Sequence, residues 1–156
     1  MGTRQRSCHR QAARRMEPLS ADSLRAGALV LVDTAPIIYT LEGHRRFAGR
    51  FEPLFRRHEV GEIALAVTSV TIAEVLTGPM KAGEEALARR YRAALEAWIV
   101  VDFTSDIAES AVRLRGRYGL KLPDAIQLAS ALAINADALV THDRDFDSVT
   151  GIQVLG

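Results

Sequence analysis

Residues 28–32, Ala-Leu-Val-Leu-Val, form an unbroken apolar run that stops at Asp33. Successive side chains of a strand point to opposite faces, so consecutive apolar positions imply that both faces are covered. A strand of that kind needs helices above and below it, which is the setting of a parallel α/β sheet. Short apolar runs recur at 63–67, 98–101 and 138–141, and 152–155 adds a fifth candidate strand.

The intervening segments read as helices. Pro36 falls near the first turn of a short helix after the first strand, where its missing N–H costs little. A second helix is expected over 46–58, and a third begins at Thr71 and ends at Gly78-Pro79. Over 84–98, Leu87, Tyr91, Ala94, Leu95 and Trp98 recur at helical spacing. Ile107, Ala111, Leu114 and Tyr118 share a face of the next helix, closed by Gly119. The last helix opens at Pro123 and is expected to bury Leu122, Ala125, Ile126, Ala129, Leu132 and Ala133. Strands separated by helices of this length imply right-handed βαβ units. The predicted fold is a three-layer α/β/α domain with a mostly parallel sheet of four to five strands.

With 156 residues the chain is one domain's worth of sequence. Cys8 is the only cysteine, which excludes a disulfide or cysteine-based metal site within one chain and suits a reducing cytosol. Residues 1–15 carry five arginines (Arg4, Arg6, Arg10, Arg14, Arg15) and no acid. This segment reads as a disordered basic tail or an upstream start, with Met16 as the alternative start, leaving 16–156 as the folded domain. Those later residues hold 15 Lys/Arg against 19 Asp/Glu, a net charge of −4. If this body binds nucleic acid, local basic groups and a bound cation must attract it, because the overall field does not. The apolar stretch at 26–32 is far short of the roughly 20 residues of a membrane span.

Four acids occupy informative places in this layout. Asp33 ends the first strand and Asp143 follows the fourth; Glu74 and Asp124 are expected in first helical turns facing the same rim. In open parallel sheets, ligands bind at the carboxyl ends of the strands. Carboxylates converging there repel one another, and a hard divalent cation relieves the conflict. Oxygen ligands without His or Cys indicate Mg²⁺ or Mn²⁺ rather than zinc. Such ions activate water and stabilise charge on phosphoryl oxygens.

Each acid also has a purely structural reading. Asp33 caps the Pro36 helix; Glu74 completes a Thr-x-x-Glu capping box with Thr71; Asp124 complements a helix N-terminus; Asp143 is a solvated turn residue beside Asp145 and Asp147. Only their joint placement favours function. Thr34 and Thr141 are candidates to hydrogen-bond the carboxylates, and Asp145 is a subordinate outer ligand. His142 is a candidate to touch substrate, but the four histidines (His9, His44, His58, His142) show no ligand spacing, which favours a surface role. Arg115, Arg117 and Lys121 precede the Asp124 helix and are candidates to grip phosphates, with a solvated face as the alternative.

The segments Val32-Asp33-Thr34-Ala35-Pro36-Ile37-Ile38-Tyr39, Thr71 to Glu74, Leu122-Pro123-Asp124-Ala125-Ile126-Gln127-Leu128-Ala129 and Leu139-Val140-Thr141-His142-Asp143-Arg144-Asp145-Phe146 resemble, in order and spacing, the four signature segments of PIN domains. The resemblance covers roughly 28–156 and is greatest to the VapC-type toxins of bacterial and archaeal toxin–antitoxin pairs. It implies a Mg²⁺/Mn²⁺-dependent endoribonuclease, usually dimeric, silenced by an antitoxin whose C-terminal segment reaches the acidic pocket. By position, the family's acidic quartet falls on Asp33, Glu74, Asp124 and Asp143, and its hydroxyl position falls on Thr141.

The expected function is therefore hydrolysis of RNA phosphodiesters by a metal-activated water, in the cytoplasm. One alternative is a non-catalytic PIN-like module whose acidic pocket receives a basic antitoxin segment. Another is phosphoryl transfer through an aspartyl nucleophile at Asp33. That chemistry usually wants a second Asp two residues on, where Ala35 stands.

Overall fold

Five strands, β1 (Leu29–Val32), β2 (Ala64–Thr68), β3 (Ile99–Val101), β4 (Ala138–Val140) and β5 (Gln153–Leu155), form a sheet in the order β3-β2-β1-β4-β5. All four neighbouring pairs are parallel. The computed structural model describes residues 19 and 21–156; the Arg-rich segment 1–15 and Met16 lie outside the described residues. Six helices connect the strands: α1 (Thr34–Leu41), α2 (Ala48–Glu59), α3 (Ser69–Lys81), α4 (Glu85–Glu96), α5 (Ser105–Tyr118) and α6 (Leu122–Ala133). No described helix is long and apolar enough to cross a membrane.

The apolar run of β1 is explained by two separate cores. Val30 and Val32 join Ile37, Phe51, Leu54, Val75 and Leu95 on the side of α1 to α4. Leu31, between them, joins Ile107, Ala111, Ala125, Leu128 and Leu139 on the side of α5 and α6. A fully buried side chain of this size contributes about 1.5–3 kcal/mol, so both helical layers are anchored by the central strand.

Two expected helices differ from the sequence reading. The third starts at Ser69, not Thr71, because Thr68 is its N-cap and its hydroxyl accepts from Thr71 N at 3.0 Å. It also runs through Gly78-Pro79 to Lys81, with Pro79 buried inside the last turn. In α6, every residue from 125 to 131 is buried, while Leu122 and Leu132 are 44% and 39% exposed and Ala133 is exposed. That helix is covered by the sheet and by α5 together, so a single buried stripe does not describe it.

Gly119 ends α5 at φ +71°, a left-handed cap that a residue with a Cβ adopts only under strain. This turn lets α5 and α6 fold back on each other and places the N-terminus of α6 beside the sheet.

Candidate active site

The sheet changes winding direction between β1 and β4, since β2 and β3 lie on one side of β1 while β4 and β5 lie on the other. Such a switch point is where α/β sheets open a crevice at the strand ends. Val32 pairs with Val140, and the next N–H, that of Asp33, donates to Val140 O at 2.8 Å. Strand register alone therefore brings Asp33 and the segment Thr141 to Asp143 to one point. A cleft of about 440 Å³ opens there, lined by Asp33, Thr34, Ala35, Ile38, Glu74, Thr77, Pro123, Asp124, Gln127 and Asp143. All four acids expected from sequence face this cleft.

Asp33 is buried and fixed at both oxygens. Its Oδ1 accepts from Thr34 N at 2.7 Å and its Oδ2 from Thr141 Oγ1 at 2.8 Å. Thr141 is fully buried and also accepts from Asp143 N at 3.0 Å, so it sets two carboxylate positions and does not face substrate itself. The capping reading of Asp33 holds as well, since it is the N-cap of α1. Burial pushes its carboxyl above the ordinary range against those two hydrogen bonds, and Glu74 and Asp143 add repulsion.

Glu74 lies in the second turn of α3, not the first, and makes no capping box with Thr71, which is not the N-cap. Its carboxylate accepts instead from Thr34 Oγ1. Thr34 Oγ1 is also 3.1 Å from Thr71 Oγ1, to which Gln127 Nε2 donates at 2.6 Å. Sequence reading gives Gln127 no site role, although its position three residues after Asp124 puts both on one helix face. Its Oε1 is buried without a hydrogen-bond partner among the described residues.

Asp124 stands in the first turn of α6. A carboxylate placed there only to complement the helix dipole would have a lowered pKa. The opposite is found: burial, then the charges of Asp33, Asp143 and Asp145, push it up to about 6. Asp143 caps a short 3-10 helix over 144–148, its Oδ1 accepting from Asp145 N at 2.9 Å. Among the described residues, carboxylate oxygens of Asp124, Asp143 and Asp145 lie within 4.8 Å of one another. Asp145, ranked behind the quartet in sequence, thus belongs to the most compact acidic group.

The other candidates fall outside the cleft lining. Lys121 Nζ is 3.5 Å from Asp145, and exposed Arg115 and Arg117 end α5, with Arg117 over the Tyr118 ring. His142 is half-buried rather than a surface group, with Nδ1 3.1 Å from Tyr39 Oη. Burial, then Arg50, Arg144 and Arg46, lower its pKa.

The residues present fit a hard divalent cation. The donor set is oxygen alone, two carboxyls carry raised pKa values, and Gln127, whose amide oxygen is buried without a partner among the described residues, is in the cleft lining. Ala35 stands where a second carboxylate would serve an aspartyl nucleophile, which disfavours that chemistry.

The raised acids have a consequence for stability. A carboxyl with a higher pKa in the folded state binds more protons there, so its contribution falls as pH rises from the ordinary 3.8 through about 6. His142, with a lowered pKa, acts in the opposite sense. The comparison with Asp124→Asn isolates the cluster. In EDTA the wild type loses stability relative to that variant between pH 4 and pH 7, and Mn²⁺ restores it at pH 7. Melting curves at three pH values measure this; parallel pH profiles would contradict it.

Comparison with known proteins agrees with this geometry. The profile of the PIN domain matches residues 30–152. The chain is 32% identical to a chain of a toxin–antitoxin complex from Klebsiella pneumoniae, covering 79% of this chain and 94% of that one, with a TM-score of 0.63. Two further structures share the fold at lower identity. VapBC2 from Rickettsia felis, bound to a DNA fragment from its promoter, matches at 19% identity and TM-score 0.65, covering 81% and 96% of the two chains. VapC20 from Mycobacterium tuberculosis, a toxin that cleaves the sarcin–ricin loop, matches at 17% and 0.60, covering 76% and 93%. A comparison with curated proteins by sequence gives no match. The chain belongs to the PIN-domain family of nucleases.

Proposed function

We propose that the protein is a Mg²⁺- or Mn²⁺-dependent endoribonuclease, the VapC-type toxin of a toxin–antitoxin pair. The observation that carries this reading is the convergence of Asp33, Glu74, Asp124 and Asp143 on one cleft, with Asp145 beside Asp124 and Asp143. Asp33, Asp124, Asp143 and Glu74 would hold the cation directly or through water. When bound, the cation activates the attacking water and stabilises charge on the phosphoryl oxygens.

The chain's own groups position these parts. Thr141 locks the Asp33 carboxylate, and Thr34 holds Glu74, so neither acid must be ordered when the cation arrives. Arg115, Arg117 and Lys121 would contact phosphates flanking the scissile bond. Membership of toxin–antitoxin complexes by the Klebsiella and Rickettsia structures supports an antitoxin partner. Homodimerisation and a cytosolic setting are part of the same reading, through the family resemblance.

The test is cleavage of single-stranded RNA by the purified chain. Cleavage is expected with Mn²⁺ or Mg²⁺ and is abolished by EDTA. Metal-independent cleavage would overturn the metal assignment. Absence of cleavage together with tight binding of a basic peptide in the cleft would favour a non-catalytic module.

A further inference from the structure

Beside the acidic cleft, and sharing its edge, stands a cluster of rings and arginines that the catalytic reading does not use. Ile38 and Asp143 line the cleft, and their chain neighbours Tyr39 and His142 belong to the cluster. Phe47 is its centre: its ring lies 4.9 Å from Tyr39, 4.7 Å from His142 and 5.0 Å from His44, with the His44 ring stacked at 19°. Fully buried Phe51, 6.2 Å from both Tyr39 and His142, roots the group in the core. His44 is exposed and Phe47 half-buried, so the cluster reaches the surface at the His44 ring.

The charge around these rings is positive. The Arg46 guanidinium lies 5.2 Å from the Phe47 centroid. Arg46 and Arg50 line one pocket with Phe47, and exposed Arg144 opens the short 3-10 helix two residues after His142. Elsewhere, arginines such as Arg25, Arg57 and Arg92 are paired with carboxylates. Among the described residues, neither Arg46 nor Arg144 forms an ion pair. An open pocket of about 540 Å³ lined by Leu19, Arg46, Phe47 and Arg50 extends the surface away from the cleft.

Exposed cations interleaved with ring faces are what a single nucleic-acid strand requires: phosphates meet guanidinium groups and bases stack on rings without sequence readout. A basic peptide would be repelled by the arginines, and an acidic one by the neighbouring carboxylates. A strand whose scissile phosphate is held at the cleft by the cation satisfies both halves of the surface. In a domain body of net charge −4, such a local basic patch is also the needed source of attraction.

We propose that the shelf formed by His44, Arg46, Phe47 and Arg144 seats the single-stranded RNA flanking the scissile bond, its phosphates on the arginines and a base on the exposed His44 ring that Phe47 backs. This rests on the ribonuclease reading of the cleft and assigns where the substrate runs outside it.

The test uses the full chain with Mn²⁺ and a fluorescent single-stranded RNA, comparing wild type with Arg46→Ala/Arg144→Ala and with His44→Ala. The double variant is expected to bind RNA about tenfold or more weakly and to raise KM correspondingly. Its log-affinity against log-salt slope should fall by about 0.7 for each phosphate that is no longer neutralised. His44→Ala should lose between about 5- and 150-fold in affinity, the range of one stacked base. Mn²⁺ affinity should not change in either variant, which separates a substrate seat from a general disturbance of the cleft.

If wild type cleaves RNA and the variants match it in KM, affinity and salt slope, the shelf assignment is wrong while the nuclease reading stands. If wild type binds RNA through the shelf but does not cleave, the nuclease reading fails and the shelf stands. If RNA binding is unchanged and the variants instead lose affinity for a poly-glutamate peptide, the surface docks protein and the proposal is overturned.

Discussion

Replacing Asp33 by asparagine is expected to lower RNA cleavage by on the order of 10³-fold or more and to leave the fold intact. The substitution keeps the side chain's shape and its capping bond from Thr34 N, but removes the charge at the centre of the rim. That charge is buried, its pKa is raised by burial, and Glu74 and Asp143 oppose it. Its removal therefore relieves the metal-free protein, and the apo melting temperature at pH 7 should be unchanged or higher. Loss of activity with a retained or improved fold separates a functional carboxylate from a structural one. Initial rates and melting curves on the same preparation make the comparison; a fully active Asp33→Asn protein would remove Asp33 from the mechanism.

Truncating Phe146 to alanine should cost about 3–5 kcal/mol of stability, the range for a large aromatic side chain deleted from a core. Phe146 is 1% exposed and packs in the core between the sheet and α5 and α6. It is also the anchor of the short 3-10 helix that follows Asp143 and contains Asp145. A domain of this kind has only about 5–15 kcal/mol in total, so the loss is a large share of it. The cavity is expected to loosen the turn that fixes Asp143 and Asp145, weakening Mn²⁺ binding even where the protein remains folded. Urea titration measures the first effect and metal titration at low temperature the second. A stability loss below about 1 kcal/mol would mean that the turn is held by its hydrogen bonds and not by this ring.

The fold was legible because its signal is local and redundant. Residues 28–32 alone require two covered faces, and the structure assigns Val30 and Val32 to one core and Leu31 to the other. The convergence of the four acids was legible for a related reason: each sits at or near a strand end or helix start, and the switch point between β1 and β4 is where such ends meet. The start of α3 was misread because Thr68 and Thr71 are chemically equal as caps. The deciding fact is that β2 runs directly into the helix, making Thr68 the cap and moving Glu74 into the second turn. Gln127 was visible three residues from Asp124, but its donation to Thr71 joins residues 56 apart in sequence. The ring cluster was beyond reach for the same physical reason. Phe47 and His142 meet only because α2 and the end of β4 pack together, and no short-range spacing encodes that contact.

The central claim is that the carboxylate rim holds a divalent cation, and a titration of Mn²⁺ at pH 7 tests it most directly. Free Mn²⁺, followed by its paramagnetic resonance signal, should be depleted by wild type at protein-stoichiometric concentrations. Asp33→Asn and Asp124→Asn should each bind at least about tenfold more weakly, in keeping with the loss of a charged oxygen donor. Identical titration curves for wild type and both variants would place the cation elsewhere and contradict the account.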